Sequence, residues 1–260
     1  MATETSTAVE SQILSGPAPR SATARLIDFK ETNLGLYEDF FAMVIDDLVT
    51  PRECAALLSA VQPPAPAADN NKPWPPATVT AHDGSQFVDL MSRDCGRIIH
   101  ESQALADALL DRILPHLPPA IVSLRNAPNI AGQAAVINKE TWEIARLDSA
   151  LRFLKYEPGQ YFSPHCDGQY IGKNGAEKSL LTVHLYLNGG GQGDEEIEGG
   201  ATRFGIDFDN PKEDKLDVDP KIGSVLIFQQ RDMYHEGVEV RKGTKYTLRT
   251  DVIYEKVQAG

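Results

Sequence analysis

Leu151-Arg-Phe-Leu-Lys-Tyr156-Glu-Pro-Gly159-Gln-Tyr161-Phe-Ser-Pro-His165-Cys-Asp167 is the stretch whose reading decides the fold. Short apolar-polar runs at 151–156 and 161–167 flank a Pro-Gly turn, the pattern of paired antiparallel strands. Successive side chains on a strand point to opposite faces, so His165 and Asp167 project together while Cys166 points away. An imidazole and a carboxylate on one face can take adjacent positions around one ion. His-x-Asp alone is weak evidence, because the chain holds six histidines and many aspartates.

Toward the C-terminus the same grammar repeats. Strands are expected over 180–187, 201–204, 224–228, 234–240 and 245–254, separated by glycine turns. Thr182, His184, Tyr186 and Asn188 alternate with Val183, Leu185 and Leu187, so that strand has one polar and one apolar face. On the last strand Lys245, Thr247, Arg249 and Asp251 share a face. The glycine-rich segment 189–200 carries Asp194, Glu195, Glu196 and Glu198, which would repel a phosphate, so it reads as a loop.

Toward the N-terminus, 42–48 is a strand candidate, and Thr50-Pro51-Arg52-Glu53 supplies a capping box with a first-turn proline for an amphipathic helix. A second helix is expected from 102 to 114, ended by Pro115, Pro118 and Pro119. The proline-rich 63–76 can continue neither periodic structure. Residues 1–25, rich in Ala, Ser, Thr and Pro, read as a flexible tail.

The chain of 260 residues is 42% hydrophobic, enough for one core. A formal net charge of −12 argues against nucleic acid or an anionic membrane surface as partner. No run approaches a membrane span, and no secretory signal is legible at the start, so a cytoplasmic location is expected. Cys54, Cys95 and Cys166 are too scattered for a disulfide framework or a CxxC zinc site.

The stations from Leu151 to Tyr254 resemble the prolyl 4-hydroxylase-like branch of the Fe(II)/2-oxoglutarate-dependent dioxygenases. The quoted stretch is similar to that branch's Y-x-x-G-x-x-[FY]-x-x-H-x-D. It is followed in order by Tyr186-Leu187-Asn188, Gly199-Gly200-Ala-Thr202-Arg-Phe204, Gly223-Ser-Val225-Leu-Ile-Phe228, His235, Val240 and Gly243-Thr244-Lys245. The resemblance implies an α+β fold, a double-stranded β-helix (jelly-roll, cupin-like) core with N-terminal helices packed on one sheet. It divides the chain into a support region over 26–149 and a barrel over 150–256. It implies that His165, Asp167 and His235 hold Fe(II), two histidines and a carboxylate with open positions being the pattern of non-haem iron oxygenases. It further implies 2-oxoglutarate and O2 as cosubstrates, with ascorbate as a candidate reductant.

Lys245 occupies the motif position for the cation that receives the far carboxylate of 2-oxoglutarate, although Arg249 shares its face and is the alternative anchor. Tyr186 matches the tyrosine whose hydroxyl contacts that carboxylate, Thr182 shares its face, and Tyr156 is expected on the pocket wall. His184 stands where relatives carry an apolar residue, and reads equally as a cosubstrate contact or as a histidine satisfied within the barrel. The implied reaction oxidises a C–H bond, by hydroxylation as the default, in a peptide or small molecule, releasing succinate and CO2. A barrel without turnover, or a cupin-like metal lyase or isomerase, would share the ligands, but Lys245 and Tyr186 argue for the cosubstrate. Neither the substrate nor the oligomeric state is legible.

Overall fold

The computed structural model describes residues 13–61, 74–80, 84–190, 196–210 and 215–257. Most of the proline-rich segment, the first twelve residues, and Asp194 and Glu195 of the glycine-rich segment lie outside them.

The two-faced strands assemble into two antiparallel sheets. The larger runs in the order Thr23–Leu26, Ala42–Asp46, Val225–Gln229, Glu177–Tyr186, Lys245–Val257, Thr141–Leu147, Ser123–Arg125. Its long strand Lys245–Val257 changes partner along its length: Lys245 to Arg249 pair with Ala150–Tyr156, and Val252 to Val257 with Thr141–Leu147. Gly96–Glu101 pairs on the far side of Ala150–Tyr156. The smaller sheet runs Leu216–Val218, Thr202–Phe204, His235–Gly237, Tyr161–His165, Arg93–Asp94. Phe204 of the small sheet packs edge-on to Phe228 of the large one, with ring centroids 5.3 Å apart, so the inner faces close on each other. This is the jelly-roll core of an α+β fold.

Leu181, Val183, Leu185, Leu248 and Val252 leave the large sheet on its outer face. There they meet Cys54, Leu57 and Val61 of the helix Pro51–Val61 and Leu105, Leu109 and Ile113 of the helix Gln103–Ile113. Each such side chain withdrawn from water contributes about 1.5–3 kcal/mol, which fixes the helices to this face. The first helix starts on its capping box: Thr50 N donates to Glu53 Oε2 at 2.8 Å and Glu53 N to Thr50 Oγ1 at 3.2 Å. Arg112 of the second helix donates to the same glutamate at 2.6 Å, tying the helices together. Between strands, Gly223 takes φ +77 and sits against the Val49 carbonyl, where any Cβ would collide.

Four features differ from the reading of the sequence. Thr23–Leu26, which begins inside the stretch read as tail, is an edge strand on Ala42–Asp46; all four side chains are exposed, so no hydrophobic pattern announces it. Gly96–Glu101, Thr141–Leu147 and Ser123–Arg125 join the large sheet from a region without legible motifs; their burial does not alternate cleanly. The strand expected over 161–167 ends at His165. The strand expected over 234–240 is two strands, His235–Gly237 and Val240–Lys242, because the second pairs with Glu198–Gly199 instead of the small sheet. No helix among the described residues is long and apolar enough to cross a membrane.

Candidate metal centre and inner cavity

His165 closes the strand Tyr161–His165, and His235 opens the strand His235–Gly237 directly opposite it in register. Their ring centroids are 4.4 Å apart. Asp167 lies just past the strand end, where the freed backbone lets its carboxylate reach between the sheets: Oδ1 is 3.7 Å from His165 Nε2 and Oδ2 is 3.8 Å from His235 Nε2. One donor atom from each of the three residues lies within 4.8 Å of the others.

The surroundings fix the orientation of these groups. His165 Nδ1 lies 2.8 Å from the Ser163 carbonyl and His235 Nδ1 3.1 Å from the Met233 carbonyl. A carbonyl accepts only, so each Nδ1 carries the proton and each Nε2 presents its lone pair toward the other two groups, as metal-binding histidines do. Burial pulls the His235 imidazole down to about 4, which keeps it neutral. Burial would raise the Asp167 carboxyl, but Arg249 and the two imidazoles outweigh it and hold the group well below the usual range. Thr182 Oγ1 donates to Asp167 Oδ2 at 2.6 Å, and Arg249 reaches Oδ1 at 3.0 Å. Two imidazoles and one fixed carboxylate suit a divalent first-row cation with open coordination positions.

An inner cavity leads from this cluster to Lys245, lined by Tyr156, His184, Thr202 and Thr247 among others. The Lys245 ammonium is buried, 5.1 Å from the centroid of the Tyr156 ring and 5.8 Å from that of Tyr186. No carboxylate among the described residues lies within ion-pair distance of it. Burial pulls it down to about 8. Arg249 is already spent: it bridges Asp167 and, at 3.1 Å, Asp251. The two cations that the sequence left as alternatives therefore occupy unlike environments.

The other residues singled out in the sequence divide in the same way. Tyr156 and His184 line the cavity, and Thr182 supports Asp167 from behind. His184 packs edge-on against Phe228 at 5.6 Å, and burial keeps its ring neutral. Tyr186 is fully buried among Phe204, Leu226 and Phe228, its ring 5.8 Å from the Lys245 ammonium and its hydroxyl paired with Thr202 Oγ1 at 2.8 Å. Thr202, which lines the cavity, lay in the motif G-G-x-T-x-F but carried no role in the sequence reading. Arg93 was also missed: it stacks 4.4 Å over Phe162, whose ring lies 3.6 Å from that of His165.

A jelly roll with a two-histidine, one-carboxylate cluster between its sheets defines a class of metal-dependent oxygenase folds. Residues 151–250 match the model of the 2OG-Fe(II) oxygenase superfamily. That segment carries every ligand candidate: His165, Asp167, His235 and, in the inner cavity, Lys245. No sequence among the curated proteins matches the chain. Solved structures that align with it include the viral collagen prolyl hydroxylase of Paramecium Bursaria Chlorella virus-1 in its 2OG complex, at 18% identity over 82% of this chain and 96% of that one, with TM-score 0.43. A Pseudomonas putida prolyl-4-hydroxylase aligns at 16% identity over 70% of this chain and 78% of that one, TM-score 0.39. A Trichoplax adhaerens prolyl hydroxylase, solved with a hypoxia inducible factor peptide fragment, aligns at 11% over 98% and 92%, TM-score 0.42.

Proposed function

We propose that this protein hydroxylates a C–H bond of a peptide or small molecule, with His165, Asp167 and His235 holding Fe(II) and Lys245 holding the far carboxylate of 2-oxoglutarate. The observation that carries the reading is the Lys245 ammonium, buried in the cavity that begins at the ligand cluster and without a counter-ion among the described residues. A buried charge without a partner is costly unless a ligand supplies one. A dicarboxylate with one end at the metal cluster and the other at Lys245 supplies it.

When bound, iron and 2-oxoglutarate together supply the oxidising chemistry, converting the keto acid to succinate and CO2 as O2 is consumed. The protein's own residues bind and orient. Ser163 and Met233 carbonyls fix the histidine tautomers, and Thr182 with Arg249 fixes the carboxylate. Thr202 and His184 offer polar atoms along the cavity wall, and Tyr156 presents its ring face to the ammonium.

Anaerobic reconstitution with Fe(II), followed by admission of O2, tests the reading. Iron-dependent loss of 2-oxoglutarate with matching succinate is expected, and mass spectrometry against a metabolite and peptide extract would reveal the product that gains oxygen. Absence of 2-oxoglutarate binding at millimolar concentration would overturn it.

A further inference from the structure

We propose that the substrate of this site carries an oxyanion, a carboxylate or a phosphate, and that Arg97, with Arg93 beside it, receives that group in an outer cleft. The inference rests on the proposed oxygenase function, whose substrate class it narrows. The cleft holds about 710 Å³ and extends from Thr78 and Gln86 to the outward side of His165 and Asp167, so whatever lies in it meets the ligand cluster.

Four arginines line this cleft, Arg93, Arg97, Arg152 and Arg249, in a chain whose net charge is −12. Two are matched internally. Arg249 bridges Asp167 and Asp251, and Arg152 reaches Asp251 and Asp148, each at 3.2 Å. The other two have no carboxylate within ion-pair distance among the described residues. Arg97 is held on one edge by Thr78, its Nη2 donating to Oγ1 at 2.6 Å and its Nη1 to the backbone carbonyl at 3.4 Å. A guanidinium has five N–H donors in a fixed fork, so three have no side-chain or carbonyl partner among the described residues. Arg93 donates from Nε to Cys95 Sγ at 3.3 Å and sits over the Phe162 ring. It also interacts with the Tyr156 hydroxyl, and the Phe162 ring beneath it is stacked on His165.

Concentrated positive charge is unusual on an acidic protein and would be expected to scatter by repulsion. Here strand register enforces it: Arg249 pairs across from Arg152, and Arg152 across from Ile99, two residues beyond Arg97. Burial and repulsion from Arg93 both weaken the hold of Arg97 on its proton, a penalty an entering anion would relieve. Planar recognition by two guanidiniums suits an oxyanion. A neutral substrate would accept the same hydrogen bonds without the charge assistance.

The test uses the full chain loaded with Zn(II), with and without saturating 2-oxoglutarate. Binding is followed by ligand-observed NMR for matched probes: L-glutamate against L-glutamine, O-phospho-L-serine against L-serine, and the capped tripeptide Ala-Glu-Ala against Ala-Gln-Ala. At least one acidic probe should bind about tenfold or more tightly than its neutral partner, which is about 1.4 kcal/mol. That advantage should shrink as salt is raised. Arg97→Gln should cut it below about threefold, and Arg97→Lys should retain part of it; Arg241→Gln, an exposed arginine lining neither cavity, should not change it. The winning pair tells whether carboxylate or phosphate, free or peptidyl, is preferred. Equal or absent binding of acidic and neutral probes, or an advantage that survives Arg97→Gln, overturns the inference. An Arg97-dependent advantage in a protein that binds no 2-oxoglutarate would uphold the anion site while removing the cosubstrate reading, so the two fail separately.

Discussion

Replacing Lys245 by methionine should move stability and cosubstrate affinity in opposite directions. The ammonium is buried and its proton is held at about 8 against an ordinary 10.5, a drop worth about 3 kcal/mol against the charged form in the unloaded fold. Below about pH 8 folded and unfolded chains both carry the proton, so the full penalty falls on the native state. Between about 8 and 10.5 the folded chain has released a proton that the unfolded chain keeps, so native stability rises with pH. Above 10.5 both are neutral and the penalty is gone. Methionine keeps most of the side-chain volume and removes the charge. Lys245→Met should therefore stabilise the ligand-free protein at pH 7 by up to about 3 kcal/mol, with the gain vanishing above about pH 10.5. The same change strands a carboxylate of 2-oxoglutarate in the cavity and should cost about 2–5 kcal/mol of binding, or about 30- to several-thousand-fold. Urea unfolding across pH and calorimetric titration of 2-oxoglutarate read the two effects. A variant that loses stability at pH 7 while binding 2-oxoglutarate normally would refute the reasoning and return Arg249 as the anchor.

His165→Ala, Asp167→Ala and His235→Ala should each abolish iron-dependent succinate formation while leaving far-UV dichroism near that of the parent; turnover with tightly held iron in any of them would remove that residue from the ligand set. Arg249→Gln frees the Asp167 carboxylate from its guanidinium and should weaken Mn(II) binding by about 10- to 100-fold, with a smaller effect on 2-oxoglutarate than Lys245→Met. In the parent protein, 2-oxoglutarate affinity should decline as pH rises past about 8, where the Lys245 ammonium is lost; an affinity flat to pH 10 would contradict that anchor. Gly223→Ala forces a Cβ onto the Val49 carbonyl at positive φ and should cost at least about 1–3 kcal/mol from backbone strain alone, read as a lower urea midpoint with unchanged slope.

The strands and helices that bear the site were legible because their signals are local. Period-two alternation places Val183 and Leu185 opposite His184 and Tyr186, and Thr50 with Glu53 marks a helix start by short-range hydrogen bonds. The spacing of His165 and Asp167 and the ordered glycine stations are likewise properties of neighbouring residues. What the chain alone left open depends on partners far apart in sequence. Lys245 and Arg249 look alike on one strand face, and only the closing of the small sheet, which brings Asp167 beside Arg249, leaves one cation paired and the other alone. Tyr186 shares a face with His184, yet its hydroxyl is taken by Thr202 across the barrel. Arg93 and Arg97 come from a stretch without recognisable motif, and their charge acquires meaning only where register sets them beside Arg152 and the ligand cluster. Pairing of charge across sheets is a matter of distance in space, so the sequence determined which groups exist, and the tertiary structure decided which of them remain free to act.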